Sequence, residues 1–202
     1  MQSLFGKKKI VLASQSPRRQ ALLRQLGLAF EVRPSEIDEE MIAGMAPDEL
    51  VRSLSRQKAA HVAASFADAI VIGADTVVVL GTEILGKPKD RADAVAMLTM
   101  LSAKEHVVFT GFTIHDRPSD RVLSAVETTK VRFRTLGPDE IRAYVDSGSP
   151  MDKAGGYGIQ DDYGAVFVDR IEGCFYNVVG FPLARFYLTM QAFTRERTPN
   201  EE

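Results

Sequence analysis

One stretch constrains this chain more than any other. Ile70-Val71-Ile72-Gly73-Ala74-Asp75-Thr76-Val77-Val78-Val79-Leu80 is rich in β-branched apolar residues and carries one carboxylate in its middle. Such a run belongs in a buried strand, because branched side chains pack well on a pleated surface. It falls short of the roughly 18 apolar residues a membrane helix needs, and Asp75 interrupts it. The segments Ile70 to Gly73 and Val77 to Leu80 read as strand on either side of Asp75. A buried carboxylate is costly unless it meets a cation, hydrogen-bond donors or water. A turn or cap explains Asp75, and so does a catalytic or metal-binding role.

The rest of the chain alternates short apolar runs with helical periodicity, the pattern of an α/β protein with a mixed twisted sheet flanked by helices. Ile10 to Ala13 reads as a strand. Helices are expected over Pro17 to Leu26, Pro47 to about Ala67, Arg91 to Leu101, Pro138 to Val145 and Leu183 to about Phe193. His106 to Ile114 and Arg121 to Phe133 read as a hairpin of long strands. Gly155 to Gly158 reads as a loop, and Ala165 to Val168 and Cys174 to Val179 as two further strands. At 202 residues the chain is expected to form a single domain over 1–202, or two lobes sharing one core, with a frayed tail from about residue 194.

Composition excludes several classes. With 25 basic and 27 acidic residues and a net charge of -2, the chain has no bulk basic surface for a nucleic-acid polymer. Its single cysteine, Cys174, cannot form an internal disulfide or a thiolate metal cage, and fits a reducing compartment. The apolar residues after Lys7, Lys8 and Lys9 are too few for a signal peptide. The expectation is a cytoplasmic protein without a membrane partner.

The helix starts point to a ligand. Pro47 and Pro138 are each followed by Asp-Glu, and Asp90 can cap with Asp93 three residues on, so carboxylates meet the positive end of each helix dipole. The first helix reverses this: Ser16 and Pro17 form a good start, but Arg18 and Arg19 follow. A bound anion would offset two cations placed there, drawing on free N–H groups, the hydroxyls of Ser14 and Ser16, and both guanidiniums. Solvated arginines are the plain alternative.

Further on, Glu36-Ile37-Asp38-Glu39-Glu40 adds carboxylates which, with Asp75 and no histidine at ligand spacing, favour a hard ion such as Mg²⁺ or Mn²⁺. Lys87, in Gly86-Lys87-Pro88, can reach phosphate oxygens. The segment Asp152-Lys153-Ala154-Gly155-Gly156-Tyr157-Gly158-Ile159-Gln160 allows close backbone approach to a ligand. The Gln160 amide pairs a donor with an acceptor, which suits the edge of a pyrimidine base.

Leu12-Ala13-Ser14-Gln15-Ser16-Pro17-Arg18-Arg19, Asp38-Glu39, Gly73-Ala74-Asp75-Thr76-Val77, Lys87-Pro88, the glycine-rich segment ending at Gln160, and Asn177-Val178-Val179-Gly180-Phe181-Pro182 occur in that order. Together they resemble the Maf family of nucleoside triphosphate pyrophosphatases from about residue 9 to 190. The resemblance implies a fold similar to that of the inosine triphosphate pyrophosphatases (Maf/Ham1) and a homodimer. It implies metal-dependent hydrolysis of a nucleoside triphosphate to the monophosphate and pyrophosphate, with Asp75 as proton acceptor. Arg18, Thr76 and Gln160 match the family's specificity positions and look like its dTTP/UTP branch. Ser14, Arg19, Glu39, Lys58 and Lys87 match polar positions that hold phosphate or metal, with Glu39 and Asp75 as the metal ligands. The alternative reading is a nucleotide-binding regulator of septum formation with little turnover.

Overall fold

The computed structural model describes residues 8–37 and 44–195. Among them the chain forms β1 (Ile10–Leu12), α1 (Pro17–Gln25), β2 (Glu31–Val32), α2 (Pro47–Ala63), β3 (Ala69–Leu80), β4 (Glu83–Leu85) and α3 (Arg91–Leu101). There follow β5 (Glu105–Arg117), β6 (Val122–Phe133), α4 (Pro138–Asp146), α5 (Asp162–Phe167), β7 (Val168–Glu172), α6 (Phe175–Val179) and α7 (Leu183–Arg195). Between α4 and α5 lie two single 3₁₀ turns, Ser149–Asp152 and Ala154–Gly156.

The strand order is β2-β1-β3-β5-β6-β7, with β4 on β3. β1 pairs parallel with β2 and β3, whereas β3 with β4 and β6 with β7 are antiparallel, so the sheet is mixed as expected. The chain divides into two compact units. The first holds the residues up to Asp75, Thr110–Glu127 and the chain from Gly180, and the second holds Thr76–Phe109 and Thr128–Val179.

The core of the first unit includes Val11, Ala13, Ala59, Val62, Ala63, Ala69 and Val71, with Phe66 against them. These small residues let α2 lie close to the sheet, and two glycines bring it closer still. A Cβ on Gly73 would overlap the Ser55 carbonyl oxygen and lie 2.7 Å from the Ala59 nitrogen, while one on Gly111 would lie 2.5 Å from the Val51 carbonyl oxygen. The buried Ser55 hydroxyl, 2.9 Å from Thr113 Oγ1, fixes the register of helix against strand. The second unit is built on aromatic rings. Phe133 meets Tyr157 edge-on at 4.7 Å between centroids, and Tyr144 meets Phe167 at 5.0 Å.

Two expectations need correction. Asp75 sits not between two strands but inside one, β3, which runs unbroken from Ala69 to Leu80. Strand residues alternate faces, so Gly73 and Asp75 share the face on which α2 lies. The carboxylate that suggested a turn is held there by a cation from that helix. Of the segments expected as strands, 165–168 is the end of α5 with only Val168 opening β7, and 174–179 holds the short helix α6 (Phe175–Val179). Apolar runs this short do not distinguish strand from helix by periodicity. α6 directs the buried Asn177 amide to the Val108 carbonyl oxygen (3.0 Å) and to Thr129 Oγ1 (2.9 Å).

Gly73→Ala tests this close approach. Overpacking at a backbone contact should destabilise the protein by about 1–3 kcal/mol, read as a lower urea midpoint. An unchanged midpoint would show that α2 can withdraw at no cost.

Candidate active site

In the first unit, β1 ends where the site begins. Leu12 is in register with Ile72, and the Ala13 N–H donates to the Ile72 carbonyl oxygen at 2.8 Å. The chain therefore leaves β1 alongside the approach of β3 to Asp75, at a strand's carboxyl end, where α/β proteins bind ligands. Ser14 is buried there and accepts from the Ser16 N–H at 3.2 Å. Ser16 caps α1 by accepting from the Arg19 N–H, and Pro17 opens the helix, as expected. The first turn of α1 contains no acidic residue. The Arg19 guanidinium donates to Ser14 Oγ at 3.3 Å and to the Gly180 carbonyl oxygen at 3.0 Å, which aligns it beside the N-terminus of α1. Arg18 is half-buried in the same turn.

Lys58 and Asp75 form a buried pair in the same unit. Lys58 Nζ lies 2.6 Å from Asp75 Oδ1, and each side chain is only 9% exposed. Lys58 stands one residue before Ala59, whose backbone faces Gly73, so the close approach at Gly73 is what delivers the ammonium to the carboxylate. Two desolvated charges stabilise each other only as a pair, and losing one partner of such a pair typically costs about 3–5 kcal/mol.

The second unit carries the glycine-rich segment. The Gly155 N–H donates to the Gly86 carbonyl oxygen at 2.9 Å, which ties this segment to the turn bearing Lys87. Gly155 adopts φ 69°, and a Cβ there would crowd the Val78 side chain at 3.0 Å, so glycine is required on two counts. Lys87 and Gln160 are exposed and Thr76, the residue after Asp75 in β3, is half-buried.

Lys153 is buried and bridges the segment. Its Nζ lies 2.6 Å from the Ser149 carbonyl oxygen, 2.8 Å from Asp152 Oδ1 and 3.0 Å from Asp161 Oδ2. Sequence reasoning quoted Lys153 within its motif but gave it no role. Nothing in the sequence separates Lys153 from a solvated lysine, and its burial comes from the folded segment around it.

The segment is also anchored from below. His106 Nε2 lies 2.8 Å from the Tyr157 hydroxyl, and the Gly158 N–H donates to the Tyr144 hydroxyl at 3.3 Å. Burial pushes the His106 pKa down to about 4 and raises that of Tyr157 above its ordinary value, so both are neutral at physiological pH. The contacts of His106 are those of a structural anchor.

A hard divalent cation takes oxygen donors. Among the described residues, no group of three or more His, Cys, Asp or Glu side chains could hold a metal ion. Mg²⁺, however, is commonly held by about one or two carboxylates together with substrate phosphates. Asp75 is an oxygen donor of that kind and fits. Glu39, the other expected ligand, lies outside the described residues. Among the described residues, no helix is long and apolar enough to cross a membrane.

The His106 anchor predicts a pH dependence. An unfolded chain binds a proton at His106 near pH 6.5, whereas the folded chain resists it until about pH 4. Stability from this group is therefore complete above about pH 6.5 and is lost as pH falls through that window, reaching roughly 2–3 kcal/mol by about pH 4.5. His106→Gln should lose less stability between about pH 7.5 and 4.5 than the unaltered chain, by that amount, in urea titrations. Equal losses would contradict the anchor's neutrality.

Comparison with known proteins places this arrangement. The family described as "Maf-like protein" matches residues 9–193. The dTTP/UTP pyrophosphatase of Salinibacter ruber is 54% identical over 183 residues, covering 91% of this chain and 90% of that protein. That of Carboxydothermus hydrogenoformans is 51% identical over 179 residues, covering 89% and 95%. Among solved structures, a HAM1 protein from Coxiella burnetii aligns with a TM-score of 0.48 at 14% identity, covering 94% of this chain and 98% of that one. With a family match over nearly its whole length and relatives at this identity, the chain belongs to the Maf family.

Proposed function

We propose that this protein is a nucleoside triphosphate pyrophosphatase that hydrolyses dTTP and UTP, and modified pyrimidine counterparts, to the monophosphate and pyrophosphate. The observation that carries the reading is the buried pair of Lys58, on α2, and Asp75, on β3 next to Thr76, 2.6 Å apart. A carboxylate buried among apolar residues and paired with a buried lysine is costly as a structural device and useful as a base. The names of the relatives from Salinibacter ruber and Carboxydothermus hydrogenoformans support the substrate assignment.

In this reading Ser14, Arg18 and Arg19, at the start of α1, take phosphate oxygens, with the dipole of the helix aiding them. Lys58, held against Asp75, brings its positive charge to the phosphate end of the substrate. Lys87 is a further phosphate contact, and Thr76 and Gln160 read the base. Asp75 accepts a proton from water as the water oxygen bonds to the α-phosphorus. The bond from that phosphorus to the oxygen bridging to the β-phosphorus breaks, and pyrophosphate leaves with the electron pair. Asp75, together with Glu39, would hold Mg²⁺ or Mn²⁺, which when bound offsets the charge developing on the phosphate oxygens. Placing charge and geometry carries most of such a reaction, and the general base adds about 10² to 10⁴-fold.

Incubation with UTP, dTTP, CTP and purine triphosphates plus Mg²⁺ or Mn²⁺, followed by pyrophosphate assay, tests this directly. UTP and dTTP should be cleaved in preference to the others. Nucleotide binding without pyrophosphate release would instead support the regulatory reading. Asp75→Asn should lower kcat by about 10² to 10⁴-fold. A variant with near-parental turnover would remove Asp75 from the reaction.

A further inference from the structure

Gln160 does not stand alone. Its Nε2 donates to Asp161 Oδ1 at 2.7 Å, while Asp161 Oδ2 lies 3.0 Å from Lys153 Nζ. Lys153 is only 8% exposed at its side chain and is itself fixed by the Ser149 carbonyl oxygen and Asp152. An exposed glutamine amide is thus tethered, through one carboxylate, to a buried ammonium.

The chemistry of that tether is directional. An ionised carboxylate only accepts hydrogen bonds, so Asp161 can hold the NH₂ end of the Gln160 amide and never its oxygen. The amide is therefore fixed one way round, with Oε1 and the second N–H in a set order. Uracil and thymine present a carbonyl acceptor beside a ring N–H donor, and cytosine presents an amino donor beside a ring nitrogen acceptor. A freely turning amide satisfies either edge by rotating about its last bond, whereas a clamped one satisfies a single order.

We propose that Asp161, held by Lys153, is a positioning residue that sets the orientation of the Gln160 amide and so separates uracil and thymine from cytosine. The inference rests on the pyrimidine triphosphate reading given above. Gly158 belongs to the same device. A Cβ there would lie 2.5 Å from Asp161 Oδ2 and 2.7 Å from Lys153 Cε, so any side chain would push the carboxylate out of place.

The test is the ratio of kcat/KM for UTP to that for CTP, measured on the full chain. In Asp161→Asn, the lysine draws the new amide's carbonyl oxygen and turns its NH₂ toward Gln160, which must flip to offer Oε1. The UTP preference should fall about tenfold or more, one good hydrogen bond's worth of discrimination, with the change in KM rather than kcat. Gly158→Ala should move the ratio the same way by displacing the Asp161 carboxylate while Gln160, Asp161 and Lys153 all keep their own chemistry, and it carries the test should Asp161→Asn fail to fold. A folded variant of either kind with the parental ratio overturns the assignment of Asp161. Gln160→Ala separates the two levels. Loss of discrimination in that variant, beside parental ratios in the other two, leaves the substrate reading standing and removes only the tether. If the unaltered chain cleaves neither UTP nor dTTP, the substrate reading itself falls, and this inference with it.

Discussion

The approach of α2 to the sheet sets up everything at the reacting end of the first unit. Gly73 and Gly111 remove the side chains that would hold the helix off, and Ala59, Ala63, Val11 and Val71 fill the thin layer that remains. At that separation Lys58 reaches Asp75 within 2.6 Å, in surroundings that exclude most water. The same contact makes a charged residue tolerable in β3. A wider spacing would strand both charges, so packing and chemistry are one constraint here rather than two.

The second unit solves a different problem. A glycine-rich segment is loose unless its surroundings order it. Its order comes from beneath. The ring cluster of Phe133, Tyr157 and His106 holds the backbone, the Tyr144 hydroxyl takes an N–H, and Lys153 pins the side-chain end. The segment is rigid where it is covered, and it presents a tethered polar group, Gln160, where it is exposed. A binding element built this way loses little conformational entropy on meeting its ligand.

Much of this was legible in the sequence. The start of α1, capped by Ser16 and opened by Pro17 with no carboxylate in its first turn, is as the sequence reads it. Asp75 stood out because its neighbours are apolar. What could not be read was the partner of that carboxylate. Lys58 lies 17 positions away on a helix whose charged residues all look alike in sequence, and only the packing at Gly73 singles it out. Lys58 entered the sequence reading through family resemblance instead. β3 was divided because a glycine and an aspartate in a row of apolar residues imitate a turn, when here they are the contact face for α2. The strand assignments at 165–168 and 174–179 failed because runs that short take their conformation from their surroundings. Asp161, adjacent to Gln160, was passed over because a neighbouring charge in a loop carries no signal until its hydrogen bonds are seen.

The central claim is that Lys58 and Asp75 act as one unit. A double-mutant cycle on kcat for UTP, using Lys58→Met, Asp75→Asn and the pair together, addresses it most directly. Residues that work through each other are strongly non-additive. The account predicts that the double variant loses no more activity than the worse of the two single variants. Losses that multiply would mean that the lysine and the aspartate contribute independently, and that the buried ion pair is not the catalytic unit.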